Sequence, residues 1–104
     1  MSPWLLVLVA GLFETGWAIG LKYSDGFTRP VPSALTILGA LVSFWLLSLA
    51  MKDLPVGTAY AVWVGIGTMG TAILAVILFG EPVNTVRVIG IALILAGIVA
   101  LKVA

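Results

Sequence analysis

Four long apolar stretches, parted by connections of only a few polar residues, decide what this chain can become. A helix needs about 20 apolar residues to cross the hydrocarbon core of a bilayer. Stretches of that length run from about Trp4 to Leu21, Ser33 to Met51, Val56 to Phe79 and Val86 to Val103. Four crossings use roughly 80 positions of the 104 in the chain, which leaves too few for an extramembrane domain. The runs are continuous, whereas the strands of a membrane barrel alternate apolar and polar residues. The expected fold is all-α: one compact four-helix membrane bundle over residues 1–104, with short connections that make sequential helices antiparallel neighbours. Charge agrees, since 9% of the residues are charged, against roughly 25% in a soluble domain. Soluble enzymes, nucleic-acid binders and disulfide-stapled secreted domains are excluded together.

The connections carry recognisable punctuation. Ser24-Asp25-Gly26 follows Lys22 and supplies turn chemistry, with Gly26 free to take positive φ. Pro30 and Pro32 stand at the entry to span 2, where a missing N–H costs nothing. Gly80-Glu81-Pro82 ends span 3, and either Asn84 or Thr85 can cap span 4. The amino end has no basic n-region and no evident small-residue cleavage site after the first run, so span 1 is expected to be retained. With no cysteine and no histidine, no disulfide, thiolate metal site, other metal centre or cofactor is expected.

Eight of the nine charged residues lie in connections or near span ends; Glu14 does not. It falls just past the middle of span 1, near the bilayer midplane, with no basic residue at comparable depth. An ionisable group there costs at least about 2.5–3.5 kcal/mol on insertion scales, so a functional role is the natural reading. The alternative is a neutral glutamate that hydrogen-bonds a neighbouring helix. Helical spacing places Ala10, Gly11, Trp17 and Ala18 beside it, three small residues and one aromatic wall. Gly16 and Gly20 point to the opposite face, at a spacing that permits close helix approach.

Span 3 offers a matching surface, because Tyr60, Trp63, Gly67 and Thr71 share one face by the 3.6-residue period. A carboxylate with aromatic rings around it is one way a protein holds an organic cation. The same rings also serve as plain packing. Ser43 in span 2 either hydrogen-bonds Glu14 or a ligand, or acts as small helix glue. Gly65 and Gly67 weaken the middle of span 3 and mark a bend point. Gly90 and Gly97, seven apart on one face of span 4, mark a close helix–helix seam. Away from water a carboxyl favours its neutral form, and a second carboxyl nearby strengthens that preference. Two copies of Glu14 facing one chamber would make proton and cation competitors for the same oxygens. So small a chain does not enclose such a chamber alone, which points to a homodimer.

These residues resemble the small multidrug resistance transporters over essentially the whole chain. The likeness rests on Glu14, the run from Leu21 to Arg29, Ser43-Phe44-Trp45-Leu46-Leu47, the run from Leu54 to Trp63, and the Gly90–Gly97 repeat. It implies an antiparallel, dual-topology homodimer in the bacterial inner membrane that exports cations in exchange for protons by alternating access. Gly11-Leu12-Phe13-Glu14-Thr15-Gly16-Trp17-Ala18 and Gly97-Ile98-Val99-Ala100-Leu101-Lys102 are more similar to the guanidinium exporters than to the quaternary-ammonium pumps. By that resemblance Glu14 binds the planar cation, Ser43 orients the carboxylate, and Trp17, Tyr60 and Trp63 line the chamber. Two parallel N–H donors of guanidinium suit two carboxylate oxygens. A broad-range quaternary-ammonium exporter, a rotary-ring subunit and a purely structural membrane subunit are the rival readings.

Lys and Arg in the connections set membrane orientation, and here they nearly cancel. One side holds Lys52 and Lys102, the other Lys22, Arg29 and Arg87, with the α-amino group almost levelling the difference. Insertion both ways round is expected. A topology reporter fused after Ala104 should therefore report both sides of the membrane in comparable amounts in growing cells. A single strongly preferred side would refute dual insertion.

Overall fold

The computed structural model describes residues 2–104. It contains four helices: α1 (Pro3–Tyr23), α2 (Pro30–Ala50), α3 (Val56–Phe79) and α4 (Thr85–Val103). All four are long and apolar enough to cross a membrane. The ends follow from local chemistry. Ser2 caps α1, its Oγ accepting from the Leu5 amide at 3.1 Å, and Pro3 occupies the first helical position. Helix α1 runs two residues past Leu21, so Lys22 lies in the last turn, where a cation suits the carbonyl end of the helix. Helix α2 starts at Pro30, three residues before Ser33, because both prolines fit inside a first turn that needs no N–H. Gly80, at φ 64°, closes α3 in a left-handed conformation, and Asn84 rather than Thr85 caps α4 by accepting from the Arg87 amide at 2.9 Å.

Asp25, Gly26 and Phe27 all take positive φ between α1 and α2. Ser24 holds this turn: it is fully buried, donates to the Leu21 carbonyl at 2.8 Å and accepts from the Phe27 amide at 3.2 Å. The α2–α3 connection is tied back by the Leu54 amide on the Ala50 carbonyl at 3.0 Å.

Helix α1 lies at the centre, packed along both α2 and α3, while α4 rests on α3. The expectation of a compact bundle needs correction here, since α4 has no buried residue and the helices do not close on themselves. In lipid an apolar helix face has no need of a protein partner, because hydrocarbon tails satisfy it equally well. One apolar cluster dominates the interior: Val7 and Ala10 of α1, Leu46, Leu47 and Ala50 of α2, and Ala59, Val62 and Trp63 of α3. All of these sit toward the end that carries the α2–α3 connection. Toward the other end the helices meet through small residues. A β-carbon on Gly20 would strike the Thr36 side chain, one on Gly39 would lie 3.3 Å from the Trp17 Cβ, and one on Gly70 would strike Thr15.

Glycines therefore differ sharply in what they permit. A β-carbon on Gly11 would lie 2.6 Å from Ile66 Cγ2 and 2.7 Å from Ile66 Cβ, close to the α3 backbone, whereas one on Gly16 meets nothing. Gly11→Ala is expected to lower stability by about 1–3 kcal/mol through overpacking. Gly16→Ala should be neutral, or stabilising by up to about 1 kcal/mol through helix propensity. Unfolding in mixed detergent micelles checks the contrast, and equal midpoints for the two variants would contradict it.

Candidate functional site

Helix α1 places Glu14 one residue past its midpoint, where the side chain points at α3. The carboxyl lies flat against Gly67, so that a β-carbon there would collide with Glu14 Cδ and lie 2.7 Å from its Cγ and Oε1. Any larger residue at 67 would take the space the carboxyl occupies. Oε2 is buried and has no hydrogen-bond partner among the described residues, and no lysine or arginine of the described chain forms an ion pair with Glu14. The indole Nε1 of Trp17, one turn further along α1, is likewise buried and unpartnered. Buried polar atoms are normally satisfied. An acceptor on Glu14 and a donor on Trp17 are thus left open within one turn of α1.

Aromatic rings of α1, α2 and α3 form a continuous run. Trp17 of α1 meets Phe44 of α2 edge-on, at 6.2 Å between centroids, and Phe44 meets Trp63 of α3 at 5.7 Å. Trp63 meets Tyr60 at 5.5 Å. Ring edges and faces at these spacings attract one another, so the run ties the three helices together. Trp63 is 5% exposed and immobilised, whereas Tyr60 is 54% exposed and free to meet whatever arrives.

Ser43 explains why Trp63 is fixed. Its hydroxyl is fully buried, donates to the Ala10 carbonyl at 2.7 Å and accepts from Trp63 Nε1 at 2.9 Å. Its single proton is thereby committed, so in this conformation Ser43 makes no hydrogen bond to Glu14. The serine joins all three packed helices: α2 supplies it, α1 accepts from it and α3 donates to it.

The other positions singled out from the sequence divide. Gly11 lies in the α1–α3 seam against Ile66 instead of opening a recess beside Glu14. Helix α3 continues unbroken through Gly65 and Gly67. Gly65 admits Ile98 of α4, whose Cδ1 lies 2.7 Å from where a β-carbon would be, and Gly67 seats the carboxyl. Gly90 and Gly97 meet nothing within 4 Å of an added β-carbon. They border two apolar grooves between α3 and α4, of about 560 and 490 Å³. Sequence reasoning gave no site role to Phe44, Gly39 or Thr15. For Thr15 a signal existed, a polar residue beside Glu14 in an apolar span. Phe44 and Gly39 carried none, because aromatic rings and glycines are ordinary in membrane helices.

A family model described as Small Multidrug Resistance protein matches residues 2–94. Curated relatives named "Guanidinium exporter" cover nearly the full length. Those from Yersinia pseudotuberculosis and Proteus vulgaris are each 54% identical over 97% of both chains. That from Citrobacter freundii is 54% identical over 95% of this chain and 94% of its own. These relatives are named as exporters and not as enzymes. A match across nine-tenths of the sequence, with relatives this similar end to end, makes this chain a member of the small multidrug resistance family of transporters.

Proposed function

We propose that this protein exports guanidinium across the bacterial inner membrane in exchange for protons, its four helices acting as a single transport domain. The observation that carries the reading is the Glu14 carboxyl, seated on Gly67 at mid-membrane with a buried unpartnered oxygen and a run of aromatic rings beside it. The naming of its relatives as guanidinium exporters supports the same substrate. Guanidinium is flat, carries its charge over parallel N–H donors and fits the two oxygens of one carboxylate. Aromatic faces stabilise the rest of its charge. Trp17, Tyr60 and Trp63 supply those faces, and Ser43 contributes by holding Trp63 rigid.

Coupling follows from competition. Glu14 accepts either a proton or the cation, so arrival of one expels the other. If the site opens to one side at a time, each cation leaving is matched by protons entering. A second, inverted copy completes the site by bringing its own Glu14 to the shared chamber. Helix α4, with no buried residue and with Gly90 and Gly97 uncovered, offers the surface for that pairing. No cofactor takes part.

The test is charge movement in proteoliposomes. Guanidinium should evoke a current in the wild type that Glu14→Gln abolishes, with insertion and dimer mass unchanged, because glutamine keeps the shape and loses the exchangeable charge. Tetrapropylammonium should evoke little, since Trp17 narrows the space beside the carboxyl. A dominant response to the bulky ion would favour a quaternary-ammonium exporter, and a current that survives Glu14→Gln would overturn the role given to Glu14.

A further inference from the structure

Two consecutive residues of α1 drop into two glycine notches on α3. Glu14 fills the space at Gly67, and Thr15 fills the space at Gly70, where an added β-carbon would collide with its Oγ1 and lie 2.9 Å from its Cγ2 and 3.1 Å from its Cβ. The Thr15 side chain is buried, at 7% exposure. Its hydroxyl is 3.2 Å from the Gly11 carbonyl one turn back, the usual way for threonine to satisfy itself in a helix. The same hydroxyl also reaches across to α3, 3.4 Å from the carbonyl of Gly67. One proton is shared between the two helices, and its partner on α3 is the residue that seats the Glu14 carboxyl.

We propose that Thr15 is a positioning residue for Glu14, acting through Gly67. The inference deepens the transport reading above and rests on it for its functional consequence. Glu14 has a long, flexible side chain, so its carboxyl has no fixed place of its own. Threonine is branched at Cβ and stiff about its first torsion. Wedged against Gly70 and hydrogen-bonded to the Gly67 carbonyl, Thr15 fixes the rotation of α1 about its own axis relative to α3. A modest turn of α1 would lift both side chains out of their notches together. The rigid residue thus sets the angle at which the flexible one presents its oxygens to the aromatic run. Only glycine at 67 and 70 lets the hydroxyl and the carboxyl approach the α3 backbone this closely.

Thr15→Val keeps the branched shape and removes the hydroxyl; Thr15→Ser keeps the hydroxyl and removes the methyl. In proteoliposomes carrying the full-length protein, guanidinium-evoked transport is measured across concentration. Thr15→Val should raise the half-saturating guanidinium concentration about three- to tenfold, the factor one interhelical hydrogen bond supplies, with the maximal rate within about twofold of wild type. Thr15→Ser should restore half-saturation to within about twofold. Half-saturation unchanged in Thr15→Val overturns the proposal, and so does a serine variant that behaves like the valine. Loss of maximal rate at unchanged half-saturation would mean packing alone, which also overturns it. A second readout needs no transport: the rate at which dicyclohexylcarbodiimide modifies Glu14, with Glu14→Gln as the blank. Thr15→Val should speed modification about threefold by freeing the carboxyl from its seat, and an unchanged rate overturns the positioning role. Absence of any wild-type guanidinium response, with labelling still sensitive to Thr15, would remove the exporter reading and leave the positioning role standing.

Discussion

A carboxyl group in hydrocarbon is the constraint around which this molecule is arranged. No lysine or arginine among the described residues pairs with Glu14, and keeping a carboxyl at such depth in a bilayer costs several kcal/mol. The protein answers without neutralising it by a salt bridge. Helix α3 yields a side chain at Gly67 so that the carboxyl lies against bare backbone. Aromatic rings from α1, α2 and α3 follow one another across the helix seams. One oxygen is left without a partner. In the exchange proposed above, a permanent partner would have to be displaced by each incoming cation.

The polar atoms that are satisfied serve to hold the walls. Ser43 bonds one helix as donor and another as acceptor, which fixes Trp63 and ties α2 to both neighbours. Thr15 does the corresponding work between α1 and α3 on the far side of Glu14. Interhelical hydrogen bonds in membranes contribute modestly, on average about 0.6 kcal/mol in measured cases. Their value here is geometric, since each defines how one helix is rotated against the next.

Much of this was legible in the sequence, and the parts that were not share a cause. The four helices and their order followed from continuous apolar runs and from prolines and glycines at the breaks, and the observed bounds differ by at most three residues. Glu14 stood out because a lone mid-span charge is costly. Helical periodicity placed Trp63 and Gly67 on one face, and the structure turns both inward. What periodicity cannot give is the partner across a seam. Gly11 looked like part of a recess and proved to be a contact point for Ile66; Gly65 looked like a bend and admits Ile98 of α4. By sequence Ser43 could bond Glu14 or a ligand or serve as helix glue, and only the relative depth of α1 and α2 selects the Ala10 carbonyl. Phe44 and Gly39 gave no sign of their partners for the same reason, since neither residue type is unusual within an apolar span.

The apolar cluster fills only the end of the molecule near the α2–α3 connection, while small residues mediate contact at the other end. The subunit is built like a pair of tongs, with large apolar side chains packed at the joint and glycine contacts toward the tips. In the inverted pair proposed above, each joint would face the partner's tips, giving each rim one tightly packed and one loosely packed jaw. In such a pair, closing one rim would spread the other, and the seesaw would arise from where a handful of leucines, valines and alanines are buried and not from a dedicated hinge.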